Sequence, residues 1–71
     1  MKEYAAIMEQ AESGSWSAYV PDLPGCMTAG ETLEELQRLL PEAIEFHLEG
    51  LRLEGFPVPE PSTKVATVRV A

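Results

Sequence analysis

The sequence predicts an α+β domain in which one helix lies over one face of a mainly antiparallel sheet, in the order β-β-β-α-β. Three observations carry that expectation. Two segments that alternate at period two flank a Gly-Ser turn near residue 14. From residue 32 the apolar spacing changes to three and four. A Val-rich alternating run then follows a proline-rich connector. The 71 residues, 45% hydrophobic and 24% charged, allow one domain with one core, residues 1–71. A domain this small buries only about 60% of the surface its unfolded chain exposes, so self-association that covers more apolar surface is expected.

In order along the chain, residues Glu3 to Gln10 set Tyr4, Ala6 and Met8 on one face and Ala5 and Ile7 on the other, the pattern of a strand. Glu12-Ser13-Gly14-Ser15 supplies a turn. Trp16 to Val20 reads as the returning strand of a hairpin, with Trp16, Ala18 and Val20 facing opposite to Ser17 and Tyr19. Pro21-Asp22-Leu23-Pro24-Gly25 interrupts it, because neither proline has an N–H to donate. Cys26 to Ala29 can form a short third strand before Gly30.

Thr32-Leu33-Glu34-Glu35 matches a capping box, in which the Thr32 hydroxyl accepts from the Glu35 N–H while the Glu35 carboxylate reaches back. Both glutamates also favour the positive end of the helix dipole. Leu33, Leu36, Leu40, Ala43 or Ile44, His47 or Leu48, and Leu51 continue as one helical stripe, and Gly55 is the natural stop. Pro41 cannot donate to the Gln37 carbonyl, so a kink or a break is expected there. Phe56 to Pro61 is an extended connector with polyproline II character. Thr63 to Val70 then reads as a final strand.

Twelve acidic against five basic side chains give a net charge of −7, and residues 1–35 hold seven of the acids with a single Lys. That field repels phosphates and no basic patch offsets it, so direct nucleic-acid binding is disfavoured. A basic protein partner is favoured, although charge that only keeps a small protein soluble explains the balance equally well. One cysteine excludes an intrachain disulfide and suits a reducing compartment. No signal peptide and no bilayer-length apolar run are present, which makes the expected location cytoplasmic.

Cys26 and His47 are the only possible thiol–imidazole pair, and a small core Cys with a core-edge His explains both without catalysis. Asp22 and Glu31 flank the third strand, but Mg²⁺-dependent nuclease chemistry needs more convergent acids than this spacing supplies. One Cys and one His cannot build a zinc site, and the glycines punctuate turns rather than a phosphate loop, so no metal, cofactor or catalytic residue is expected. Tyr19, Asp22, Leu23 and Glu31 stand as candidate partner-contact residues, Tyr19 because it points away from Trp16 and aromatics favour interfaces.

Tyr19-Val20-Pro21-Asp22-Leu23-Pro24-Gly25-Cys26, followed by Gly30-Glu31-Thr32-Leu33-Glu34-Glu35, resembles the signature of HicB-like antitoxins. Glu42-Ala43-Ile44-Glu45, Leu48-Glu49-Gly50-Leu51 and Val58-Pro59-Glu60-Pro61 extend the resemblance over about residues 3–61. It implies a partial ribonuclease H-like fold without that fold's active site. It also implies an antitoxin that binds and masks HicA, a small basic toxin that cleaves messenger RNA. An acidic antitoxin suits a basic toxin, since complementary fields speed association. Two departures stand out. The sequence ends at Ala71, without the C-terminal DNA-binding domain that many members carry, so autorepression is not expected. Pro41 replaces an ordinary helix former. The alternatives are a homo-oligomeric protein- or ligand-binding domain with no toxin, and a weak metal-dependent nuclease.

Overall fold

The computed structural model describes residues 2–71 and contains three strands and one helix: β1 (Ile7–Gln10), β2 (Trp16–Tyr19), β3 (Met27–Gly30) and α1 (Leu33–Leu53). The class is α+β. The strands form one antiparallel sheet in the order β1-β2-β3, registered by Ile7↔Tyr19 and Tyr19↔Met27. The first hairpin closes through Ala11 N–H donating to Ser15 O and Gly14 N–H to Ala11 O. β2 stops where Pro21 removes the next donor. From there Leu23 N–H donates to Val20 O, Cys26 N–H to Leu23 O and Val20 N–H to Cys26 O, folding the Pro-Asp-Leu-Pro-Gly segment into a closed turn.

Alternation sorts the side chains. Met8, Ala18 and Thr28 share the face toward α1, whereas Ile7, Tyr19 and Met27 share the other. The core is small: Ala18, Val20, Leu23, Cys26 and Leu36 are buried. Tyr4, Ala6, Ile44, Leu48 and Leu51 pack around Val20, Leu23 and Cys26. α1 lies over β3 and β2 but not over β1. Its close approach to β3 depends on Gly30, where a Cβ would stand 3.0 Å from the Leu36 amide nitrogen and 3.1 Å from a Glu35 carboxylate oxygen.

The capping box forms with a shift. Thr32 Oγ1 accepts from Glu35 N–H at 3.1 Å, as expected, but Glu35 Oε1 accepts from the N–H of Glu31, one residue before the cap, at 2.9 Å. At the other end Glu54 caps the helix and Gly55 takes φ +76°. Phe56 N–H reaches Leu51 O and Gly55 N–H reaches Arg52 O, the paired closure of a Schellman motif. Pro41 does not break the helix, which runs through it as one 21-residue element. Gln37, whose carbonyl loses a donor, is exposed, so water can replace the missing bond.

Two strand expectations need correction. The first strand is shorter than Glu3 to Gln10, its ladder beginning only at Ile7. The last strand, Thr63 to Val70, is absent: residues 64–71 are exposed and pair with nothing. Alternating Val and polar residues make a segment able to be a strand, but the ladder needs a partner edge, which this segment does not meet within its own chain. The radius of gyration, 13.6 Å, exceeds the roughly 11 Å of a compact chain this long, consistent with an arm standing off the body.

Candidate functional site

The face of the sheet that α1 leaves uncovered carries an apolar band. Ile7, Tyr19 and Met27 lie side by side across the three strands, with Tyr19 44% and Met27 70% exposed. The next row holds Glu9, Ser17 and Ala29. Strand alternation puts them there: the residues that bury Ala18 toward the helix necessarily turn Tyr19 outward. An aromatic ring flanked by Met and Ile on a flat sheet, with an acid in the adjoining row, offers apolar contact and negative charge together.

The four candidate contact residues have separate fates. Tyr19 is on this open face. Glu31 is exposed at the entrance to α1, where its main-chain N–H is held by Glu35. Leu23 is 0% exposed and serves the core, so it presents no surface to a partner. The turn that carries it sends the leucine into the cluster with Val20 and Cys26, against which Ile44, Leu48 and Leu51 of α1 pack, an environment that local sequence does not display.

Asp22 is fully engaged inside the chain. Its Oδ2 accepts from the Ser62 and Thr63 N–H groups at 2.9 Å each, and its Oδ1 accepts from the Ser62 and Thr63 hydroxyls at 3.0 and 2.8 Å. The Thr63 and then the Ser62 backbone bonds hold the carboxyl below its ordinary value of 3.8, at about 2. Both oxygens are thus occupied, and Asp22 works as the fastening for the C-terminal connector. Tyr4 adds to the fastening by donating from its hydroxyl to Pro59 O at 2.6 Å, and Lys2 pairs with Glu60.

Cys26 is buried against the helix, with its Sγ 3.9 Å from Ala43 O, and burial pushes its thiol pKa up. A raised pKa leaves less thiolate, the opposite of what a nucleophile needs. His47 lies over the Gly25 turn. Among the described residues no three of His, Cys, Asp and Glu come together as a metal-binding group. Among the described residues, no helix is long and apolar enough to cross a membrane.

A second concave feature runs between the edge strand and the helix. This groove, about 850 Å³, is bordered by Tyr4, Ala6 and Met8 on the strand side and by Leu40, Ile44 and Leu48 on α1. Sequence reasoning missed it, and missed Ile7 and Met27 beside Tyr19. The first omission has a physical reason, since the groove forms between the N-terminal segment and α1, which lie far apart in sequence. The second follows from register: antiparallel pairing centred on Ser13 sets Ile7 opposite Tyr19, and pairing centred on Leu23 sets Met27 opposite it.

Comparison with known proteins agrees with the motif reading. The family model for a HicB-like antitoxin of bacterial toxin–antitoxin systems matches residues 4–70. A UPF0150 protein of Synechocystis is 39% identical over 57 residues, covering 80% of this chain and 72% of its own length. One from Thermoplasma acidophilum is 33% identical over 66 residues, covering 93% of this chain and 96% of its own. One from Archaeoglobus fulgidus is 43% identical over 47 residues, covering 66% and 68% respectively.

Proposed function

Because the chain belongs to the HicB-like antitoxin family, we propose that it binds and masks a small basic toxin of the HicA type. The uncovered Ile7–Tyr19–Met27 band is the observation that carries this reading to a surface. A toxin that acts on RNA must present a cationic surface to phosphates. An antitoxin with net charge −7 is drawn to that surface, and an aromatic-centred apolar band supplies the dehydrated contact that holds it. Masking is steric in this scheme. The antitoxin contributes a fitted surface and no chemistry, in line with the engaged Asp22 carboxylate and the buried Cys26. Glu31, exposed at the start of α1, adds charge at the rim.

The same reading makes the protein cytoplasmic, where such toxins meet messenger RNA, and leaves nucleic acid to the toxin. It also makes the protein a homo-oligomer, supported by exposed Val65, Val68 and Val70, which a lone chain leaves in water. Oligomerisation without a toxin is the second reading that these valines favour. One experiment separates the two: co-expression with the product of the neighbouring short basic reading frame. The antitoxin reading expects a co-purifying complex and loss of the toxin's RNA cleavage. A neighbouring product that neither co-purifies nor is inhibited overturns it and leaves self-association standing.

A further inference from the structure

The segment after Thr63 has the pattern of a strand and no strand to pair with, while the sheet has two unused edges, β1 and β3, of which β1 borders the apolar groove. Ala66, Val68 and Val70 alternate onto one face of that arm, with Val68 79% exposed. β1 is an edge strand whose outer hydrogen-bonding side has no neighbour in the sheet. Beside it lies the apolar groove between β1 and α1. Exposed edges with a free ladder pair with whatever strand reaches them.

We propose that residues 64–71 of one copy add to the β1 edge of a second copy as its fourth strand, seating Ala66, Val68 and Val70 in the groove between that copy's β1 and α1. The proposal rests on the self-association reading above and names the segment that would produce it.

Three observations select a second copy as the occupant. The arm's root is fastened at Asp22, just past the end of the interior strand β2, and nothing beyond Thr63 pairs with its own sheet. At about 3.3 Å per residue the arm extends roughly 26 Å, enough to run the length of a four-residue edge strand on a neighbour. Charge points the same way. Lys64 and Arg69 are the arm's only charged side chains, whereas the remainder holds all twelve acids and three of the five cations. A cationic arm is attracted to the anionic body of another copy and repelled by a basic toxin. Reciprocal exchange closes a two-fold pair, in which each copy covers the other's β1 edge. The open face bearing Tyr19 stays outside this contact, so exchange and toxin masking use different surfaces.

The test is molar mass by light scattering after size exclusion, on the full chain, on a chain ending at Thr63, and on Val68→Pro. Proline at 68 removes a ladder donor and is at odds with a paired strand, yet in a lone chain it changes only an exposed position. The full chain is expected at twice the single-chain mass or a multiple of that. Both variants are expected at the single-chain mass with unchanged far-UV circular dichroism. Variants that keep the full chain's assembly overturn arm exchange while sparing self-association. A full chain that is monomeric at high concentration overturns both.

Discussion

Thr63 is bonded to Asp22 twice, by its main-chain N–H at 2.9 Å and by its hydroxyl at 2.8 Å, across 41 residues of sequence. Ser62 makes the same pair of bonds to the same carboxylate. Two consecutive residues thus lay their amides and hydroxyls on one side chain. The connector that follows the helix is fixed at that point, and everything after it is free.

The fastening is pH dependent. Its bonds hold the Asp22 pKa at about 2, below the ordinary 3.8, so the stabilisation is complete above about pH 4 and is lost as the pH falls toward 2. Amide hydrogen exchange at Ser62 and Thr63 is expected to accelerate across that window, corrected for intrinsic rates. Flat protection between pH 4 and 2 would contradict the assignment.

Asp22→Asn keeps the shape and discards the charge. An amide has one acceptor oxygen for the four donors, so at neutral pH Ser62 and Thr63 should already exchange as fast as the wild type does in acid. The helix and the sheet hold no other bond to Asp22, so circular dichroism should hardly change. A variant with wild-type protection would show that the connector is held by something else.

Leu23 and Tyr19 should separate folding from binding. Leu23→Ala opens a cavity in the sealed core, at a cost of about 2–5 kcal/mol. Set against the roughly 4–10 kcal/mol expected of a domain this size, that removes a large share of its stability, readable by urea titration. Tyr19→Ala should move stability by only about 0.5 kcal/mol, yet weaken toxin binding at least tenfold, about 1.4 kcal/mol. Equal binding by wild type and Tyr19→Ala would move the contact off the open face.

Two glycines five residues apart should respond with opposite sign to the same substitution. Gly50 is inside α1 with open space where its Cβ would go, so Gly50→Ala should stabilise by about 0.8–1 kcal/mol. Gly55 has φ +76° at the helix end, where an alanine is strained, so Gly55→Ala should destabilise by about 1 kcal/mol. Thermal unfolding of the two variants checks both signs.

Much of this architecture was readable from local pattern, because its causes are local. The hairpin, the Thr32 box and the Gly55 stop each depend on residues within five positions of one another. The misreadings involve longer range. Asp22 read as a candidate partner contact because its own partners lie about forty residues later. Leu23, between two prolines, looked like surface because its burial comes from the helix. The final strand was inferred from alternation, which describes faces but does not supply an edge. At Pro41 the expectation was a kink or a break, and of the two the break does not occur, because packing on the sheet carries the helix through one missing bond. For the candidate site, Tyr19 followed from alternation alone, whereas its neighbours Ile7 and Met27 required the register.

Only five described residues are buried, and just Leu23 and Leu36 among the large side chains are wholly sealed. Folding therefore constrains few positions. Beyond that core, the Asp22 fastening and the turn and contact glycines, substitutions cost little, so the outer faces can change in what they recognise while the scaffold persists.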